Sequence, residues 1–450
     1  MISHWYWRSL PLHHRTGSEI FERLYQKETI ATLLESPYPT PKDYPDLCRY
    51  SICAGSPRQM WTPKIGEILP FLNGLLASSP SLSSLPDHLP FIGGWLGWLG
   101  YDLAWEIEKL PKQNSDPLPF PVAYWYEPET FAVLDHIEQI LWLAATNQTD
   151  LDRLESLLEK DTAPYIKNTI ASPPIAFCTE QADYEASVRS ALKYIKAGDI
   201  FQTNLSLRFQ TKTTADSWQI YRNLQQINPS PFASYWRTPW GVVVSCSPER
   251  LVKLENKKVQ TRPIAGTRPR GMTTEADQKL AFELKANVKE QAEHIMLVDL
   301  ERNDLGRFCQ WGSVYVDELL TIERYSHVMH LVSNISGILH DKYNSIDIIR
   351  SLFPGGTITG CPKVRCMEII EELEPLGRSL FYGSCGYLDI RGNLDLNILI
   401  RTLLLTPLNE IYQVWGQVGA GIVADSDPSL EWYESLNKAE AQLAALRLTL

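Results

Sequence analysis

The chain has 450 residues, enough for one large domain or two or three ordinary ones. A hydrophobic content of 44% and a charged content of 21% are those of a folded globular protein and exclude a disordered chain. Forty-two basic against 53 acidic residues leave a net charge of −11, which argues against general nucleic-acid binding. A small anionic substrate remains open, because a few local cations or a metal ion suffice to hold one.

The opening segment "MISHWYWRSLPLHH" has no basic stretch followed by an apolar run, so no signal peptide is expected. No segment approaches eighteen uninterrupted apolar residues, so no membrane span is expected. Eight cysteines (48, 53, 178, 246, 309, 361, 366, 385) are scattered without a C-x-x-C or a zinc spacing. They read as free thiols in a reducing compartment, the cytoplasm.

Residues 1–160 mix short apolar segments with Pro- and Ser-rich connectors such as "SSPSLSSLPDHLP" (78–90). "GGWLGWLGYDL" (93–103) predicts a strand where backbones approach closely. Composition turns loop-like at "NTIASPPIAFC" (168–178), a soft boundary between an N-terminal region, 1–170, and a C-terminal region, 180–450. "YEASVRSALKYIKAGD" (184–199) predicts a helix burying Val188, Ala191, Leu192 and Ile195 and stopping at Gly198. "WGVVVSCSPERLVKL" (240–254) reads as β. "TRPIAGTRPRG" (261–271) reads as a shaped loop, since Pro263, Gly266 and Pro269 forbid a regular helix; Arg262, Arg268 and Arg270 are available there to an anion. "ADQKLAFELKANVKEQAEHIMLVDL" (276–300) predicts one long helix with a stripe of Leu280, Leu284, Val288 and Ile295. "SLEWYESLNKAEAQLAAL" (429–446) predicts another, with Trp432, Leu436, Ala439, Leu443 and Leu446 facing a core.

Both of the last two helices carry Glu-x-x-Glu, Glu290 with Glu293 and Glu431 with Glu434. Residues three apart share a helix face. Carboxylates from two helices suit a hard cation such as Mg²⁺, although solvated helix faces look the same by spacing alone. "FPGGTITGCPKVR" (353–365) is a Gly-rich turn into a helix, where backbone amides can hold an anion, but it is not a P-loop. "GQVGAGIVADSD" (416–427) is a glycine cluster after a strand, without the βαβ pattern of a dinucleotide fold. His330 alone reads more readily as a satisfied core histidine than as a catalyst. "YGSCGYL" (382–388) is no nucleophile elbow, so Cys385 is discounted.

Taken together, "PIAGT", "AEHIMLVDLERNDLGR", "YSHVMHLVS", "FPGGTITGCPKVR", "CGYLDIRGNLDLNILIRT" and "GAGIVADSDPSLEWYESLNKA" resemble the chorismate-binding enzymes. This group holds anthranilate synthase component I, aminodeoxychorismate synthase component I, isochorismate synthase and salicylate synthase. The resemblance spans roughly 180–445, and "GGWLGWLGYDL" extends it into the N-terminal half. It implies an α+β fold, a single large domain of two stacked, mainly antiparallel sheets flanked by helices.

The resemblance also implies roles. Glu293 and Glu434 should hold Mg²⁺ against the ring carboxylate of chorismate, with Glu290 and Glu431 in support. Arg401 and Tyr387 should hold the enolpyruvyl carboxylate, and backbone groups at Gly419, Ala420 and Gly421, with Lys438, should close around the carboxylates. Thr357 should line the pocket, Gly266 should lie along the ring, and His330 should sit near it. Glu249, in "SCSPERL", matches the acid that protonates the departing hydroxyl; a carboxyl among apolar strands is expected to keep its proton.

Gln202 stands where water-adding relatives carry a Lys base, which implies amination by ammonia, supplied by a separate glutamine amidotransferase subunit. Ala265 stands where many aminodeoxychorismate synthases carry a Lys nucleophile, and "PIAGT" is the anthranilate synthase form. "FPGGTITG", "PFASYW" (231–236) and "GGWLGWLGYDL" favour aminodeoxychorismate synthase, in folate biosynthesis, with anthranilate synthase as the alternative. "LLES" (33–36) and "NPSP" (228–231) resemble a tryptophan-binding motif, which places a tryptophan near Glu35, Ser36 and Pro229; the plain reading is a helix end meeting Pro37.

Overall fold

The computed structural model describes residues 5–41, 44–78, 86–160, 175–325 and 328–447. Most of the predicted boundary at 168–178, and residues 79–85 of the Ser-rich connector, lie outside them. Two antiparallel sheets of twelve and ten strands form the frame. Both sheets draw strands from each side of residues 161–174. In the larger, Glu35 pairs with Ala233; in the smaller, Leu99 pairs with Ser384. The N-terminal and C-terminal regions therefore share one frame.

The main core lies between the sheets, where Trp98 of the smaller meets Trp236 of the larger edge to face, with ring centroids 6.0 Å apart. A second core lies on the far face of the larger sheet, under helices that contribute Phe21, Trp218 and Leu443. The Gln181–Ala197 helix buries Val188 and Ala191 and ends on Gly198 at φ 83°, as its spacing and glycine predict. The Gly94–Leu99 strand shows why glycine recurs there: a Cβ at Gly97 would lie 2.2 Å from the Tyr124 carbonyl oxygen.

Three expectations change. The helix expected over 276–300 is two, Thr274–Ala286 and Val288–Gly306, broken at Asn287, whose ψ of 109° leaves the helical region. Its side chain caps the second helix by accepting the Glu290 N–H at 3.0 Å. The break takes Val288 and Ile295 off the apolar stripe and exposes them.

The expected loop at 261–271 is mostly strand. Ile264–Pro269 pairs with Val328–Ile338, and the register shifts between Ala265 and Thr267 at Gly266, which has φ 62°. Its arginines meet protein carboxylates: Arg262 pairs with Glu318 and Glu323, Arg268 with Glu290, and Arg270 with Asp277.

The glycine cluster at 416–421 lies inside the Ile411–Ile422 strand. There Gly416, Gly419 and Gly421 let side chains of the facing Gln202–Thr213 strand lie across it.

Candidate active site

A cavity of about 470 Å³ opens where the start of the Gln202–Thr213 strand and the end of Ile411–Ile422 meet the bulged Ile264–Pro269 strand and the helices Val288–Gly306 and Pro428–Ala445. Gln202, Glu249, Ala265, Gly266, Glu293, His330, Thr357, Arg401, Gly419, Gly421, Glu434 and Lys438 all line it. Residues more than 230 positions apart in sequence thus converge on one space.

Glu249 sits where Pro248 interrupts two strands, Gly241–Ser247 and Arg250–Glu255, because proline cannot donate to a ladder. The interruption turns the carboxyl into the cavity. It is only 5% exposed, and burial pushes its pKa up to about 8, against the opposing pull of the Thr357 hydroxyl and the Ile264 amide. Such a group still carries its proton at neutral pH and can act as an acid.

His330 is held down to about 4 by burial and stays neutral. Its Nδ1 lies 3.2 Å from the Gly266 carbonyl oxygen and 3.1 Å from Thr267 Oγ1. A carbonyl oxygen only accepts, so Nδ1 carries the proton and Nε2 is left as an acceptor.

Four carboxylates line the same cavity: Glu290 and Glu293 from one helix, Glu431 and Glu434 from the other. Glu290 Oε1 pairs with Arg268 at 2.7 Å, while its Oε2 is buried without a hydrogen-bond partner. Glu434 Oε1 meets Lys438 Nζ at 2.8 Å; Lys438 Nζ donates in turn to Gly419 O at 3.0 Å. Among the described residues no close cluster of three or more metal-ligating side chains forms. A hard dication that keeps water and a substrate oxygen in its shell needs only one or two carboxylates, so the donor set fits.

Arg401 is a cation of the cavity wall. Nη1 donates to Lys438 O at 2.9 Å, and burial works against its charge, lowering its pKa. Arg401 (φ 52°) and Tyr382 (φ 65°) both hold left-handed backbones at the cavity wall, a strain that clusters at functional sites.

One expected side chain stands elsewhere. Tyr387 packs against Phe91 in the core and lines another cavity, whereas Tyr382 lines this one. The Ala420 methyl packs in the outer core, while its backbone, the part expected at the site, lies between Gly419 and Gly421, which line the cavity. Arg268, one of the arginines expected to meet an anion, lines the cavity, as do Asn204, Tyr382 and Gln417, which the sequence did not single out. For Asn204 and Gln417 a signal existed, since each lies two residues from a named one on its strand.

Glu35, Ser36 and Tyr387 line a second cavity of about 90 Å³. "LLE" is the end of the Ala31–Glu35 strand, not of a helix. Pro229 does not line this cavity; Pro231 does. Glu35 is buried and accepts from Ser18 N (2.6 Å), Ser18 Oγ (2.7 Å) and Tyr221 OH (2.6 Å), while burial raises its pKa.

Residues 32–444 match the chorismate binding enzyme family. The chain is 63% identical over 98% of its length to a Synechocystis protein named anthranilate synthase component I-like, covering 92% of that protein. It is 46% identical over 80% of its length to aminodeoxychorismate synthase component 1 of Bacillus subtilis, covering 78% of it. The crystal structure of anthranilate synthase component I from Streptococcus pneumoniae superposes with a TM-score of 0.78 at 33% identity, over 88% of this chain and 92% of that one. The chain therefore belongs to the chorismate-binding enzyme family, and the cavity that gathers a buried carboxyl, an arginine and four further carboxylates is its candidate active site.

Proposed function

We propose that the chain aminates chorismate at ring carbon C4, giving 4-amino-4-deoxychorismate, as component I of an aminodeoxychorismate synthase. The observation that carries this reading is Glu249, a buried carboxyl at about 8 inside the cavity that holds Arg401. The C4 hydroxyl is a poor leaving group and needs a positioned acid.

Arg401 binds one substrate carboxylate and fixes the ring. Glu249 gives its proton to the departing hydroxyl, which leaves as water as the C–O bond breaks. The ammonia lone pair forms the C–N bond, and the surplus proton on nitrogen returns to Glu249. His330, neutral and anchored through Nδ1, closes the wall beside the ring. Glu293 and Glu434, with Glu290 and Glu431 nearby, would hold a Mg²⁺ ion, which would supply charge neutralisation and polarisation of the ring carboxylate. Gln202 offers no base for activating water, which suits a nucleophile that already has its lone pair. A separate glutamine amidotransferase subunit supplies that ammonia, in the cytoplasm.

Ala265 favours a second reading. It lines the cavity with a methyl group, so no lysine adduct forms there. Attack of ammonia at C2, with the C4 hydroxyl leaving as water on the Glu249 proton, followed by loss of pyruvate, would make the chain an anthranilate synthase component I. Product identification separates the two readings. The cavity at Glu35 and Ser36 we assign to tryptophan.

A further inference from the structure

One buried acid has no part in the chemistry described above. Glu301, 5% exposed, stands one turn beyond Leu297 on the Val288–Gly306 helix; Leu297 lines the active-site cavity and Glu301 does not. A carboxyl is costly to bury without hydrogen bonds, and Glu301 has them on both oxygens' sides. Its Oε2 accepts from Thr261 Oγ1 at 3.0 Å. Its Oε1 lies against Gly356, where a Cβ would come 3.4 Å from it, and the Gly356 amide favours its charged form.

Both contacts fall just upstream of the groups that act on the Glu249 carboxyl. Thr261 leads through Arg262 and Pro263, whose ring fixes φ, to Ile264, whose amide pulls on Glu249. Gly356 immediately precedes Thr357, whose hydroxyl does the same. Glu301 therefore ties together the two segments that hold Glu249. The charged groups facing Glu301 are Asp304 on its own helix, Lys363 and Glu249, and Lys363 is matched by Asp304, with Nζ 2.7 Å from Oδ2. Of the charges around Glu249, Glu301 acts on it most. Like charges disfavour each other, so an ionised Glu301 opposes ionisation of Glu249.

We propose that Glu301 is a positioning residue for the Glu249 acid: by bridging Thr261 to Gly356 it fixes the Ile264 amide and the Thr357 hydroxyl beside that carboxyl, and its charge holds the proton there. This rests on the reading of Glu249 as the acid, which C4 and C2 amination share. Burial raises Glu301 itself to about 7, so it is ionised before Glu249 loses its proton near 8.

The experiment is chorismate consumption against pH, with Mg²⁺ present and free ammonia held constant, on wild type, Glu301→Gln and Thr261→Val, with a thermal melt for each. Glu301→Gln keeps the shape and removes the charge. Its alkaline limb of kcat/KM should move to lower pH by roughly half a unit or more, with the KM for chorismate unchanged. Thr261→Val keeps the charge and cuts one end of the bridge; its kcat should fall severalfold, again at unchanged KM. An unmoved limb in Glu301→Gln overturns the proposal, and so does a loss expressed only in the chorismate KM, which a merely structural acid would give. If Glu301→Gln fails to fold, Thr261→Val decides, and a wild-type kcat there overturns the bridge. A wild type that consumes no chorismate contradicts the underlying reading of the site, an outcome distinct from these.

Discussion

Gly266 and Glu290 occupy a space that no other residue at 266 would leave. A Cβ added at Gly266 would lie 1.7 Å from Glu290 Oε2 and 2.7 Å from Leu284 Cδ1. The glycine also sits at φ 62°, where a side chain costs about 1–2 kcal/mol. The bulge that lets the Ile264–Pro269 strand approach the ring space is therefore the same feature that seats a carboxylate of the four-glutamate wall. Gly266→Ala should lower stability by about 2 kcal/mol, read as a fall in melting temperature, and should lower kcat/KM by displacing Glu290. A variant with wild-type melting and rate would show the contact to be slack.

Glu249 gives a pH prediction with a definite sign. The acid must be protonated, so kcat/KM should fall as pH rises through about 8. Glu249→Gln cannot donate and should lose roughly 10²–10⁴-fold in rate. Stability follows the same proton. Between the ordinary carboxyl value and about 8 the unfolded chain has lost this proton while the folded one retains it. Folding stability should therefore decline as pH rises across that window, by up to about 1.4 kcal/mol per pH unit from this group. Urea titrations at several pH values should find a shallower decline in Glu249→Gln.

A buried ion pair supports the cavity from behind. Arg378, 2% exposed, donates to Glu374 Oε1 at 2.6 Å and Oε2 at 2.9 Å, to Ile358 O at 2.7 Å and to Asn204 O at 2.7 Å. Its guanidinium lies between the rings of Tyr101 and Tyr382. Glu374 in turn accepts from Ser206 N and Oγ. Removing one partner leaves a buried charge alone, so Glu374→Ala should cost about 3–5 kcal/mol in chemical denaturation.

The carboxylate wall is tested by titrating Mg²⁺. Glu293→Gln and Glu434→Gln should each raise the Mg²⁺ concentration for half-maximal activity roughly tenfold or more. Unchanged Mg²⁺ dependence in both would remove these residues from the metal.

For the second cavity, calorimetry with tryptophan should give heat on wild type and none on Glu35→Ala. No heat and no shift in melting temperature on wild type would set the assignment aside.

Much of this was readable in one dimension. Helical spacing and Gly198 locate the Gln181–Ala197 helix, because periodic burial and a left-handed cap are local properties. The two Glu-x-x-Glu pairs do meet at one cavity, although spacing alone could not tell them from solvated faces.

What sequence hid was set by single side chains or by the partner strand. Asn287 ends one helix and caps the next with its own oxygen, in a stretch whose apolar spacing runs through it. Tyr382 and Tyr387 stand in one short segment, and Tyr382, not Tyr387, lines the cavity. The glycines at 416–421 look like a turn until the facing Gln202 and Asn204 amides show what needs the room. The helix Pro428–Ala445 has Asp427 accepting from Ser429 N and Leu430 N, a local signal that agrees with its predicted start.

The central claim is the C4 amination, and the most direct test is the product. Purified protein, chorismate, Mg²⁺ and ammonium would be incubated with and without an added aminodeoxychorismate lyase and resolved by chromatography. The account predicts para-aminobenzoate only when the lyase is present. Anthranilate formed by the protein alone would contradict it and place Ala265 in a C2-aminating enzyme.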